Sequence, residues 1–517
     1  MQNFKTLAVL ACASALAACG GGDDNFVINP PGPDTSRGAL LSTPPSTVVQ
    51  FDAAGMTQYL GASTSGQSLM AVAGAPACGV SVYEFEYATV GGANETTNAT
   101  GAIMAPSGNQ PGCSGPRPVL LYGHGTTTDR NYNIAQITDA NNAGSGEGAL
   151  IAAMYAAQGY VVVAPNYAGY HKSKLDYHPY LHGEQQSKDM VDALSAARKA
   201  FSSLGIQGSD KLLLSGYSQG GYVAMATHRA LQAAGVAVTA SAPLSGPYAL
   251  AAFGDAMYYG NVNLGATVFV PMMATSYQKA YGNIYSRPSD LFDPVYATGI
   301  EGVLPSTLPM ATLYTQGKLP QTALFSKTAP LPALQSITPP TSPAALVPLF
   351  ALGFGDPSLI RNEARLVYLD DAMANPDGAV PNITTALPAA NPAHPMRKAL
   401  KANDLRSWTP RSPVLLCGGN ADPTVFYDLN TTLMQSLWSA PSSLAPAAGM
   451  VQVLDVDSTA SGAADPFAAV KAGFAQAKAA AAVQGGASGV VQAYHGSLVP
   501  PFCAVAARGF FQQVLAR

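Results

Sequence analysis

The stretch Gly216-Tyr217-Ser218-Gln219-Gly220 sets a serine between glycines at G-x-S-x-G spacing, and no other match occurs in the 517 residues. Glycines on either side let the backbone make a tight, strained turn that lifts Ser218 out of its surroundings. The run before it, Lys211-Leu-Leu-Leu, reads as a buried strand, and Gln219-Gly220-Gly221 opens a helical run. Without that strand-to-helix context the match would mark only a glycine-rich turn with a passive serine. A hydroxyl becomes a nucleophile when a base takes its proton, and at such elbows the partners follow in the order serine, acid, histidine. Of seven histidines, His124, His171, His178, His182, His228 and His394 precede the late apolar run at Pro413, and only His495 follows it. Asp422 lies in a turn just beyond that run, in Cys417-Gly-Gly-Asn-Ala-Asp422-Pro, where a carboxylate can accept the imidazole N–H and fix its tautomer. Asp455 and Asp457, beyond the next strand-like run, compete for the role, and Asp422 could also serve only to start its turn or cap a helix. An oxyanion developing at an attacked carbonyl needs preorganised N–H donors. These are expected from the amide of Gln219 and from Thr126, in Tyr122-Gly-His124-Gly125-Thr126, with Gly125 the near alternative. His124 itself can be a plain turn residue.

The elements that would position these groups alternate along the chain. Val80 to Tyr87 has period-two patterning, and Ala99 to Pro106 reads as its hairpin partner. Continuous apolar runs at Pro118–Tyr122, Tyr160–Ala164, Lys211–Gly216, Val236–Pro243, Pro413–Cys417 and Met450–Val456 read as strands. Helical stretches separate them: Gly148–Gln158, Gln186–Ser203 (Met190, Leu194, Ala197 and Phe201 on one face), Gln219–Ala234, Val425–Leu437, Pro466–Val483 and Val505–Leu515. Such alternation predicts an α/β fold with a mostly parallel central sheet and helices on both faces. Between Tyr248 and Arg411 the alternation stops. Proline-rich and apolar stretches such as Ala344 to Phe350, and a helix-like run from Pro357 to Met373, read as a large, mainly helical insertion at 248–411 within a domain built from 48–247 and 412–517.

Hydrophobic residues make up 48% of the chain and charged residues only 11%, against roughly 25% in an average soluble domain. That excludes wholesale disorder, and a net charge of −4 offers no electrostatic footprint for nucleic acid. Lys5 and the apolar run Leu7–Ala18 have the form of an export signal, too short to span a bilayer. Leu16-Ala17-Ala18-Cys19 resembles the lipobox of bacterial lipoproteins, which implies a leader at 1–18, lipidation of Cys19 and a flexible tether at 19–47; an ordinary signal peptide is the plainer alternative. Apart from Cys12 and Cys19 there remain Cys78, Cys113, Cys417 and Cys503, an even number at wide spacing that favours two disulfides in an exported chain, with three connectivities open. There is no CxxC, HExxH or histidine cluster, so no metal and no cofactor is called for.

The His124-Gly125 turn, Ala164-Pro-Asn166-Tyr-Ala-Gly169, the Gly216–Gly220 elbow, Gly418-Gly-Asn-Ala-Asp422-Pro and His495-Gly496 together resemble the α/β-hydrolases of the secretory lipase type. Asn166 departs from the aspartate common there. The resemblance implies a serine esterase or lipase with Ser218, Asp422 and His495 as its triad, acting on small-molecule or polymeric esters, with the insertion as a cap whose apolar stretches form an acyl-binding wall. In that fold Cys417, closing the strand before Asp422, and Cys503, opening the helix after His495, come to one end of the sheet; Cys417–Cys503 and Cys78–Cys113 are therefore the expected pairs. Two other readings stay open: an amidase or peptidase using the same triad, for which Asp370-Asp371 would hold a peptide amine, and a non-catalytic surface lipoprotein.

Overall fold

Nine strands form one sheet: β1 Ser46–Phe51, β2 Gly79–Val90, β3 Thr96–Ser107, β4 Arg117–Gly123, β5 Val161–Pro165, β6 Gly208–Tyr217, β7 Ala240–Leu244, β8 Val414–Gly418 and β9 Val451–Asp455. Their order in this computed structural model, which describes residues 35–517 except Ala463, is β1-β2-β3-β5-β4-β6-β7-β8-β9. The first three strands pair antiparallel, β3 meets β5 antiparallel, and from β5 to β9 every pairing is parallel. Every residue of β5, β7 and β8 is buried, so both faces of the sheet centre are covered, as their unbroken apolar sequences require. The helices Gly183–Phe201, Gln219–Ala233 and Val499–Leu515 pack on these strands. Parallel strands carry their C-terminal ends to one edge, and β4, β6 and β8 there lead into Gly125-Thr126, Ser218 and Asp422. Cys78 is bonded to Cys113, and Cys417 to Cys503.

Some elements differ from the sequence reading. The leader at 1–18 and Cys19 lie outside the described residues. Of the expected tether, residues 35–47 are packed rather than free: Arg37 forms a two-pronged ion pair with Asp192, Ala39 is buried, and Gly38 and Leu41 donate to the carbonyls of Ala88 and Glu86. Strand β1 and the helices Ala53–Gly61 and Thr64–Ala73 precede the first strand that patterning marked. Beyond Asp422 the helix Leu433–Ser439, led in by a π turn at Asp428–Thr432, begins later than expected, because the Asp422 carboxylate captures the N–H groups of Thr424 and Val425 in a turn. His495 sits not in a loop but in a π turn, Tyr494–Leu498, between the helices Ala468–Ala493 and Val499–Leu515.

The chain between β7 and β8 adds helices, among them Leu250–Tyr258, Ala266–Tyr281, Asn362–Ala374 and Pro395–Ala402, and no strand of the sheet. Buried ion pairs knit it together. Arg397 bridges Asp255 at 2.7 Å and Asp371 at 2.8 Å, and Arg406 bridges Asp377 at 2.6 Å and Asp404 at 3.0 Å. Asp371 is thus neither a solvated face residue nor a holder of substrate amines, while Asp370 is exposed.

Buried titratable groups make the fold acid-sensitive. Burial pulls His124, His228 and His394 down to about 4 and His178 to about 3, from an ordinary value of 6.5. Burial pushes the Glu147 and Asp189 carboxyls up to about 7. As pH falls below 6.5 the unfolded chain protonates its histidines while the folded one refuses, so stability is lost. The two carboxyls act oppositely, since only the folded state binds their protons above the ordinary carboxylate range. Burial lowers His182 as well, so the histidines outnumber the two carboxyls and unfolding takes up protons on balance between roughly pH 6.5 and 4.5, each worth about 1.4 kcal/mol per pH unit. Smaller upward displacements of Asp192, Asp255 and Asp455 reduce the slope towards the acid end. The melting temperature is therefore expected to fall steadily from pH 6.5 to 4.5 in calorimetry; a flat or rising profile contradicts this account.

Candidate active site

The elbow is built by close packing. Ser218 stands between β6 and the helix Gln219–Ala233 with φ 58° and ψ −119°, a conformation a non-glycine residue holds only under constraint. The constraint is visible: the Ser218 N–H donates to the Leu244 carbonyl of β7 at 2.9 Å. A Cβ on Gly216 or Gly220 would collide with the Gly123 carbonyl, and one on Gly221 with that of Leu244. The glycines of the motif thus let the helix start press against the ends of β4 and β7, leaving the serine side chain half-buried at the mouth of a cavity.

The three residues singled out for acid–base chemistry meet there. His495 Nε2 lies 2.7 Å from Ser218 Oγ, and its Nδ1 lies 2.6 Å from Asp422 Oδ2. Asp422 is 4% exposed, and its other oxygen accepts from the N–H groups of Thr424 and Val425 at 2.9 and 3.0 Å. The imidazole is therefore held with Nδ1 protonated and Nε2 free to accept the serine proton. The competing acids are occupied elsewhere. Asp455 accepts from Asn420, and Asp457 binds Lys478 and the Tyr494 hydroxyl.

Several supporting residues carried no signal of their own in the sequence. The Tyr217 hydroxyl donates to the His495 carbonyl at 2.6 Å, and the Tyr494 hydroxyl donates to Asp457 while accepting from the Ala421 N–H. Tyr494 so ties the base turn to the acid loop, and the Cys417–Cys503 bridge joins the strand before the one to the helix after the other. Of the oxyanion candidates, Gln219 and Thr126 both line the cavity beside Ser218. Gln219 is the first residue of its helix, where amides have no intrahelical acceptor. The Gly125 N–H instead points to Glu147, at 3.1 and 3.3 Å from its two oxygens, which leaves Thr126 the better second donor. His178 donates from Nδ1 to the Ala168 carbonyl and accepts at Nε2 from the side-chain Nε2 of Gln219 at 2.7 Å, which leaves the backbone N–H of Gln219 out of that bond. His124 is buried between the rings of Tyr132 and Tyr167, a structural place, and Asn166 bonds Ile134, Thr100 and Asn133, another.

The cavity wall is almost entirely apolar, and no charged side chain lines it. Leu250, Phe253 and Met257 come from one helix of the insertion, Phe269, Val270 and Met273 from the next. The expected wall at Ala344–Phe350 is not part of it. Ala344 to Leu346 are exposed, and the buried Phe350 packs on Phe426 instead. Among the described residues no group of three or more His, Cys, Asp or Glu is placed to hold a metal ion.

A parallel sheet with a strained serine elbow and an acid and base after later elements defines the class: the chain is an α/β-hydrolase. The prolyl oligopeptidase family model matches residues 149–260, the part that carries the nucleophile. The rice cell wall degrading esterase LipA from Xanthomonas oryzae is 28% identical in its ligand-bound crystal structure, with 92% of this chain and 98% of that one covered and a TM-score of 0.64. A chain from Legionella pneumophila, 19% identical over 92% of this chain and 98% of its own at a TM-score of 0.59, shares the fold. No curated protein matches the chain in sequence. Within its class the triad geometry makes the chain a serine hydrolase.

Proposed function

We propose that this is an exported esterase, anchored through lipid at Cys19, that cleaves esters of apolar acids through an acyl-enzyme. The observation that carries the reading is the hydrogen-bonded line Ser218–His495–Asp422 opening onto an uncharged, apolar cavity. His495 takes the Ser218 proton as Oγ attacks the ester carbonyl, and the Gln219 and Thr126 amides receive the oxyanion. The imidazolium, oriented by Asp422, gives its proton to the departing alkoxide as the ester bond breaks. Water, deprotonated by His495, then attacks the acyl-serine, and the carboxylic acid leaves with Ser218 restored. The 248–411 insertion acts as the cap that excludes water from the acyl chain. Two disulfides suit an oxidising compartment.

The match to the prolyl oligopeptidase family keeps a peptidase reading in view, but that match omits Asp422 and His495, and the cavity offers no acid to a peptide amine. Likeness to a cell-wall-degrading esterase adds polymer-bound esters as a second substrate class to assay. Fluorophosphonate labelling of Ser218 combined with p-nitrophenyl esters of graded chain length and an aminoacyl anilide tests the reading. Each methylene that leaves water is worth roughly 0.8 kcal/mol, or about fourfold. We expect kcat/KM to climb from acetate through butanoate to medium acyl chains and to remain negligible on the anilide. A flat chain-length profile, or faster anilide cleavage, overturns it.

A further inference from the structure

Glu147 takes no part in the chemistry above, yet its carboxylate reaches the loop that must receive the oxyanion. It lies in the first turn of the helix Ser145–Met154. That turn is pressed against the segment before it, since a Cβ on Gly148 would collide with the Ile134 carbonyl. Three donors converge on the carboxylate: the Tyr122 hydroxyl of β4 at 2.9 Å, the Tyr132 hydroxyl at 3.2 Å, and the Gly125 N–H at 3.1 Å. The two tyrosines leave the carboxylate with acceptor capacity to spare, and the Gly125 N–H takes part of it up. The third donor belongs to the residue before Thr126, and Gly125 faces the nucleophile: a Cβ added there would lie 3.8 Å from Ser218 Cβ.

We propose that Glu147 is a positioning residue for the oxyanion hole: by drawing the Gly125 N–H inward it fixes the Gly125-Thr126 segment so that the Thr126 N–H faces the reacting carbonyl. The inference rests on the acyl-enzyme reading of Ser218. Preorganised donors stabilise an oxyanion only when they are already aimed, so a loop free to turn would lose rate rather than binding. Both the carboxylate and the neutral acid can accept from Gly125, so the role does not depend on charge. Glutamine keeps an acceptor for Gly125 and can donate its amide hydrogens to a tyrosine oxygen; leucine keeps the bulk alone.

The test compares Glu147→Leu and Glu147→Gln with the wild type. Active sites are titrated with a fluorophosphonate, p-nitrophenyl butanoate gives kcat and KM, and a trifluoromethyl ketone serves as a tetrahedral-adduct inhibitor. For the leucine variant we expect kcat per titrated site to fall about 10- to 100-fold with KM within twofold, and the inhibition constant to rise in step. The glutamine variant should recover to within about fivefold of wild type. Should the leucine variant give no folded protein, Glu147→Asp, whose shorter arm cannot span Gly125 and both tyrosines, is read by the same criteria. Unchanged kcat per titrated site, with losses only in melting temperature or in the number of sites, overturns the proposal, as does failure of both variants to fold. Wild-type protein without a titratable site refutes the nucleophile assignment instead.

Discussion

Ser218→Ala should lower kcat by about four to six orders of magnitude, the scale seen when a hydrolase loses its attacking oxygen, while the protein folds and melts as before. Both halves of this expectation come from the elbow. The hydroxyl is the only atom removed, and the backbone at φ 58° is held by the Ser218 N–H to Leu244 bond and by glycine contacts that alanine leaves intact. Neither serine nor alanine is at ease at positive φ, so the exchange costs little, whereas Ser218→Gly should relieve strain and raise stability by about 1 kcal/mol. KM should change little, because the apolar cavity rather than the hydroxyl holds the acyl chain. Steady-state kinetics with p-nitrophenyl butanoate and a thermal melt decide the matter. More than about a hundredth of wild-type turnover in the alanine variant would end the assignment.

The triad was legible for reasons that lie on the chain. The elbow motif fixes a local conformation, strand–helix alternation fixes where sheet edges fall, and only His495 follows the resumed strands. Sequence position could rank Asp422 above Asp455 and Asp457 but could not show why. The reason is that Asn420 occupies the first rival while Lys478 and Tyr494 occupy the second. Glu147 stayed hidden because a lone acid among glycines at a helix start gives the same signal as a residue that merely offsets the helix dipole. The cavity wall was misplaced for a related reason. Ala344–Phe350 and the helices Leu250–Tyr258 and Ala266–Tyr281 are alike in being apolar, and only tertiary packing decides which of them faces Ser218. The early strand β1 is short, six residues at the sheet edge with its outer side in solvent, so no buried run announces it. Patterning reads what a segment buries, and it is silent on what the segment is buried against.

Asp422→Asn tests the triad at its most buried member, and the loop around Asp422 dictates the result. An asparagine must give one of the two oxygen positions to an NH2 group. The position facing Thr424 and Val425 receives two backbone N–H groups at 2.9 and 3.0 Å, so an amino group there would oppose two donors in a buried turn. The amide oxygen therefore keeps that position, and the amino group faces His495 Nδ1 at the place of the present 2.6 Å contact. An amino group can only donate, which forces the tautomer with its proton on Nε2, pointing at Ser218 and unable to accept. The variant should lose about three to four orders of magnitude in kcat with KM nearly unchanged, the order expected when a catalytic imidazole is held in the wrong tautomer. Asp455→Asn, which disturbs the bonds from Asn420 and from the Asp457 N–H but none to the triad, should stay within about tenfold of wild type. If Asp422→Asn loses less than tenfold, or Asp455→Asn loses more than it does, the acid has been assigned to the wrong loop.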